Sequence, residues 1–351
     1  CAFIYCDATC QHDHWRRGHK QICKRIHRGG NAEQYNADKK YKEAVATAVE
    51  ACADDTKGQT CYICTQALHW KTKEGLVRGC ACRGTAGFAH VSCLAEQAKI
   101  LYAEAEENNL GAKALDDRWR RWNTCSLCEQ KYHGAVRGAL GWACWKTYVG
   151  RPEGELLISA MRQLGNGLSV TKHQEDALSV EEAELSMLRR LGVSEHHVLT
   201  TQGNIAVTYE KLGRYEEALN MFRDVYSGEL KLHGAEREET LRAANNYAHI
   251  LVRLERFEEA KALFRRTIPV TRRVLGDNHR LALRMRSNYA EAFFKDNGAT
   301  LDELREAVTS LEETKRIARR VFGGANPIVV EIESHLRRAT LRARETPPSN
   351  G

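Results

Sequence analysis

Leu212–Phe222 reads LGRYEEALNMF, and 42 residues on Leu254–Phe264 reads LERFEEAKALF. The same step carries Asn204 to Asn246 to Asn288, and each Asn stands two residues before an alanine: Ala206, Ala248 and Ala290. Gly192, Gly234 and Gly276 keep the same interval. A fourth copy follows a five-residue insertion, with Ala307 and Leu311 standing for Ala218 and Phe222, and a degraded earlier copy starts near Asn166. A fixed period of this length, in charged, helix-forming and nearly proline-free sequence, predicts a repeat architecture over residues 153–345.

The unit fits a helical hairpin. Small residues such as Ala206 and Ala218 let two helices approach closely, and Phe222 or Phe264 fills the space between neighbouring hairpins. One hairpin cannot bury its apolar face alone, so three or more must stack. The pattern resembles tetratricopeptide repeats, and the step together with LGDNHRLAL (Leu275–Leu283) is similar to the kinesin light chain type over residues 160–345. The resemblance implies a groove lined by the first helix of each pair. It also implies a peptide-binding role for Asn204, Asn246 and Asn288, because a carboxamide both donates to and accepts from an extended backbone. The other reading is that each Asn braces a loop of its own repeat. Residues 346–351, with two prolines and no apolar side chain, are expected to be disordered.

Upstream of the repeats lie four close ligand pairs: Cys61-x2-Cys64, Cys80-x-Cys82, His90-x2-Cys93 and Cys125-x2-Cys128. Seven sulfurs and one imidazole suffice for two closed tetrahedral zinc sites, which are structural because no coordination position is open. A disulfide framework fits poorly, since thirteen cysteines are an odd number and close pairs do not staple distant segments. Iron–sulfur clusters favour Cys alone, and His90 argues against one. The spacing and the string CACRGTAGFAHVSC (Cys80–Cys93) resemble the RING-CH variant of the RING finger. That resemblance implies two interleaved Zn2+ sites, one from Cys61, Cys64, His90 and Cys93, the other from Cys80, Cys82, Cys125 and Cys128. The module is expected over residues 55–150. Its flanking helix at 135–149 carries Leu140, Trp142, Trp145 and Tyr148.

Residues 1–28 contain Cys6-x3-Cys10, Trp15 and His19-x3-Cys23, which resemble the C-terminal half of a MYND zinc finger. By that resemblance Cys6 and Cys10 complete one zinc site, and Cys1, His19 and Cys23 a second, with the missing ligands upstream of Cys1. One or two more Zn2+ would then bind here. The alternatives are a single site from Cys6, Cys10, His19 and Cys23, or a basic helix with incidental thiols. Residues 29–54 are expected to form a helical linker, Ala-rich and without internal Gly or Pro over 32–52.

Composition narrows the function. The 351 residues are 42% hydrophobic and 28% charged, ordinary for a globular chain. No apolar run approaches a bilayer span, so no membrane partner is expected. The formal charge is +7, and residues 11–42 hold nine Lys/Arg against three Asp/Glu. With one Trp, two Tyr and no base-reading motif in that stretch, nucleic-acid binding is not expected beyond nonspecific attraction. Metal-type cysteine usage points to a cytoplasmic or nuclear address. Nothing supports a hydrolase or a phosphoryl-transfer site, and saturated zinc ions do not activate water.

The expected fold class is therefore mainly α: small zinc-stabilised modules followed by an α-solenoid. The RING-CH resemblance implies a ubiquitin ligase. Its finger would recruit a ubiquitin-conjugating enzyme through Ile63 and form no covalent intermediate, while the repeats capture the protein substrate. Two features of that family are absent: Gln97 stands where a Trp is usual, and Cys128–His133 (CEQKYH) lacks the usual Pro. The alternative is a non-catalytic protein–protein interaction scaffold.

Overall fold

The computed structural model describes residues 31–347. Cys1, Cys6, Cys10, His19 and Cys23, with the MYND-type reading, lie outside the described residues. Thirteen α-helices are described: α1 Ala32–Ala51, α2 Val91–Glu107, α3 Ala112–Trp119, α4 Gly134–Tyr148, α5 Glu155–Val170, α6 Gln174–Arg190, α7 Glu195–Lys211, α8 Tyr215–His233, α9 Glu238–Arg253, α10 Phe257–Leu275, α11 Arg280–Lys295, α12 Leu301–Phe322 and α13 Pro327–Glu345. Among the described residues β-structure is limited to two isolated antiparallel bridges, Val77 with Ala89 and Thr124 with Lys131. No described helix is long and apolar enough to cross a membrane.

The chain forms two compact units that divide between Met187 and Leu188, within α6. In the first unit, Tyr41, Val45 and Ala48 of α1 are buried in the same core as Cys61, Phe88, Leu94, Trp122 and Leu140. The helix read as a spacer is thus a wall of the finger: its Tyr41, Val45 and Ala48 fall on one face, one helical turn apart. Asn31 caps it by accepting from the Gln34 amide at 2.7 Å. Cys52 and Cys144 are buried thiols in this core. Burial pushes the Cys144 thiol well above its ordinary range, so it packs as a small apolar group.

Helices α4 and α5 pack along a seam of small residues. A Cβ on Gly141 would stand 2.8 Å from the Gln163 carbonyl oxygen, and one on Gly167 would stand 3.2 Å from that of Arg137. The GNG string at Gly165–Gly167 is therefore a close-approach surface between helices, with no ligand-binding loop.

The second unit holds hairpins α7/α8, α9/α10 and α11/α12, closed by α13. Ala206, Ala218, Ala248 and Ala260 are fully buried, and Phe222, Phe264 and Leu311 are at most 1% exposed. The repeated glycines terminate second helices: Gly234 and Gly276 adopt φ of 77° and 85° and donate to the Leu230 and Arg272 carbonyls. Gly323 does the same at the end of α12, with φ 77°, after the five-residue insertion. Left-handed backbone is accessible to glycine without a Cβ clash, which fixes that residue at the boundary.

Candidate metal centre

The ligand atoms of Cys61, Cys64, His90 and Cys93 all lie within 4.8 Å of one another, and so do those of Cys80, Cys82, Cys125 and Cys128. The residues are brought together in the interleaved order, first pair with third and second with fourth. Two knuckles are built alike. The Cys61 amide donates to Gln66 O at 3.0 Å and the Thr65 amide to Cys61 O at 2.8 Å; Cys125 and Glu129 repeat both bonds, at 3.0 and 3.1 Å. In each, the amide two residues on donates to the leading sulfur at 3.4 Å, from Ile63 to Cys61 and from Leu127 to Cys125. Thr65 and Glu129 take the left-handed conformation that closes each turn, φ 62° and 53°.

The other two pairs come from a loop and a helix start. His90 is the N-cap residue of α2 and Cys93 lies in its first turn. Glu74 holds that turn by accepting from the Ser92 amide at 2.7 Å and the Ser92 hydroxyl at 2.9 Å. Tyr41 of α1 reaches the same hydroxyl at 3.0 Å, tying α1 to the ligand shell. Gly87 lets the Cys80–Cys82 loop fold back on itself: with φ +83°, a Cβ there would sit 2.6 Å from Cys82 Cβ and 2.9 Å from its sulfur.

The distances fit a bound ion. A tetrahedral metal with sulfur at 2.3 Å and nitrogen near 2.1 Å separates ligands by about 3.8 Å for S–S and about 3.6 Å for S–N. Cys82 and Cys125 sulfurs are 3.8 Å apart, and His90 Nδ1 stands 3.3 Å from Cys64 Sγ and 3.6 Å from Cys93 Sγ. His90 Nε2 faces the Ala67 carbonyl at 3.3 Å, so that nitrogen donates and Nδ1 is left for the metal. Burial pushes His90 below the usual imidazole range, which favours the neutral ring a metal needs.

The sulfurs also need a cation. Burial pushes Cys82 up to about 12 and Cys93 further, with neighbouring thiolates adding to both. Cys125 falls to about 5, chiefly through its bond from Cys80, whose own thiol is pushed up. Thiolates packed this closely repel one another, and a dication relieves that repulsion. His69, buried beside His90 with ring centroids 5.3 Å apart, accepts from the Thr72 amide and is not part of either group.

Ile63 is 36% exposed in its knuckle. Leu127, its equivalent in the other knuckle, is 51% exposed and was not singled out in the sequence, although it holds the same place between two cysteines. Tyr62 and Ser126, the residues just before them, are joined by a 3.1 Å hydrogen bond. Leu68 and Trp70 are also exposed, 59% and 68%.

In the repeats, Asn204 and Asn246 line a cavity of about 80 Å³ with Glu229, Glu239 and Arg242. Asn288 does not join them. It is 3% exposed, because α11 carries a nearly continuous buried surface between α9 and the pair α12 and α13. Its amide donates to Asn245, which in turn donates to Asn246 at 3.2 Å. Asn245 breaks the 42-residue pattern, so periodicity alone did not mark it.

Residues 61–128 match the RING-variant domain, and residues 198–235 and 239–298 match tetratricopeptide repeat models. The chain thus carries a RING-variant domain followed by tetratricopeptide repeats. No curated protein matches significantly. Among solved structures, the chain is similar to nearly identical tetratricopeptide-like repeats of a Podosopora anserina protein assigned to the kinesin light chains, with 16% identity, 66% of this chain and 97% of that one covered, and a TM-score of 0.41. BtubC (BKLC) from P. vanneervenii gives 14% identity, 74% and 95% coverage and a TM-score of 0.40. A Rap protein complexed with competence and sporulation factor gives 14%, 73% and 72%, and 0.40.

Proposed function

We propose that this chain is a ubiquitin ligase of the RING-variant type, whose finger binds two Zn2+ ions and recruits a ubiquitin-conjugating enzyme while the repeats hold the protein substrate. The observation that carries this reading is the exposed pair Ile63 and Leu127. Each caps one of two like-built knuckles whose sulfurs are committed to the ligand groups. A rigid support with apolar side chains held outward is what docking requires. Cys61, Cys64, His90 and Cys93 would hold one ion, and Cys80, Cys82, Cys125 and Cys128 the other. Bound zinc supplies structural rigidity and no open coordination position. The finger acts by positioning the enzyme's ubiquitin thioester against a substrate nucleophile.

The repeat unit supplies the second half. Asn204, Asn246 and Arg242 offer donors, and Glu239 an acceptor, at one cavity wall, suited to the backbone and an acidic side chain of an extended peptide. The competing reading is a scaffold without transfer activity, and Gln97, half-buried on α2 in place of a docking Trp, favours it.

Autoubiquitination of the full chain with a panel of conjugating enzymes separates the two. Ligase activity that falls at least tenfold in Ile63→Ala and Leu127→Ala, with zinc content unchanged, supports the proposal. A wild-type chain inert with every conjugating enzyme establishes the scaffold. The fragment 55–150 is unsuitable for this assay, because it lacks α1 and so opens the finger's core.

A further inference from the structure

A third group of ligating side chains lies in the repeat unit, remote in sequence from the finger. His196 stands in the first turn of α7, and Glu229 and His233 in the last turn of α8. Their ligating atoms fall within 4.8 Å of one another. Because α7 and α8 form an antiparallel hairpin turning at Leu212–Arg214, these residues meet at the hairpin's open end. Glu229 and His233 are four residues apart and share a helix face.

From these residues we infer a divalent transition-metal site, His196–Glu229–His233, that staples the open end of the α7/α8 hairpin. His196 Nδ1 and His233 Nε2 are 3.3 Å apart, against about 3.4 Å for two imidazoles on one tetrahedral zinc. Glu229 divides its carboxylate between them, Oε1 3.7 Å from His196 Nδ1 and Oε2 3.7 Å from His233 Nε2. A shift of a few tenths of an ångström brings an oxygen to the same edge length.

The protein alone leaves this arrangement unbalanced. The Glu229 side chain is 4% exposed, and its Oε2 is buried with no hydrogen-bond partner. A buried, unmatched acceptor is destabilising, and more so when charged. The two ring nitrogens face each other, and neither comes within hydrogen-bond distance of the carboxylate, each standing 3.7 Å from it. A cation among the three satisfies all of them at once. Two imidazoles and a carboxylate suit Zn2+, with Co2+ and Ni2+ as substitutes. Three protein ligands leave one position for water. The two histidine side chains are 37% and 25% exposed, so an ion can enter from solvent.

The test uses the full chain with its fingers zinc-loaded and loosely held metal removed by a weak chelator. Calorimetric titration with Zn2+ alone should show one further equivalent and raise the melting temperature of the helical signal. Co2+ in its place should give a visible spectrum lacking the sulfur-to-metal charge-transfer band that exchange into the finger would produce. The His196→Ala/His233→Ala variant should lose the equivalent. The near-isosteric Glu229→Gln should weaken it by roughly tenfold or more, the order lost when even a supporting group is removed. No equivalent beyond the fingers' own complement, one that persists in the double variant, or one with a sulfur band would overturn the site. If the double variant does not fold, the wild-type titration and Glu229→Gln decide it.

Discussion

Asn288 on α11 donates its side-chain amide to the Oδ1 of Asn245 on α9 at 3.1 Å, joining the first helices of successive hairpins through the interior. This bond assigns unequal tasks to the Asn residues of the repeat. Replacing Asn288 by Ala strands a buried acceptor on Asn245, at about 1–3 kcal/mol. Asn288→Ala should lower the melting temperature by several degrees. Asn204→Ala, at a half-buried cavity position, should change it much less, and Asn246→Ala, which strands the Asn245 amide, should fall between the two. Melting curves of the three single variants check this, and equal losses in all three would contradict it.

Loss of metal from the two finger groups should unfold the first unit only. Structural zinc contributes folding free energy on the order of 10 kcal/mol per site. Cys80→Ser, or a strong chelator, should open the core that contains Trp122 and Leu140 while the repeat helices persist. Gly87→Ala should do the same with every ligand intact, since its Cβ would clash with the Cys82 side chain, 2.6 Å from Cys82 Cβ. Tryptophan fluorescence and far-ultraviolet circular dichroism report the two events separately.

Much of this was legible because the physics leaves strong marks. Cysteine pairs at knuckle spacing have few uses, and a 42-residue step survives substitution because Ala206, Ala218 and Phe222 each occupy a space only their size fits. What stayed hidden is long-range. Nothing local in α1 shows that Tyr41 reaches Ser92, and α1 therefore read as a spacer. Asn288 and Asn204 are the same letter at the same phase, yet only α11 is buried along most of its surface. His196 and His233 lie 37 residues apart, and only closure of the hairpin brings them together.

One departure from the repeat consensus has a measurable cost. Gly213 ends α7 with φ 78°, and at the equivalent place after α9 Glu255 adopts φ 59°. A side chain in left-handed backbone costs about 1–2 kcal/mol, partly offset by the entropy a glycine loses on folding. Glu255→Gly should therefore stabilise the unit by roughly 0.5–1 kcal/mol. Denaturant unfolding with an unchanged m-value is the check; a destabilised variant would show that the carboxylate has a compensating role.

The repeats should also carry an opposed pair of pH dependences centred on Glu291. Its carboxylate is buried on α11, which raises its pKa, but His249 and His335 with Lys295 outweigh that and hold it below the usual carboxylate range. Burial likewise disfavours the charged His249 ring. Glu210 at 3.0 Å and Glu291 at 3.6 Å overcome this, so His249 is raised above 6.5. A raised histidine contributes stability that is complete below its unfolded pKa and is lost as pH rises through the folded value. A lowered carboxylate contributes stability above its unfolded pKa that is lost as pH falls through the folded one. The two contributions coexist between about pH 4.5 and 6.5. His335 runs the other way: burial lowers it, so its share grows as pH rises through 6.5. The difference between wild type and His249→Gln isolates the His249 part. That difference should be largest near pH 5.5 and shrink above pH 7. A difference that is flat from pH 5 to 9 would show that His249 holds no proton in the folded repeat.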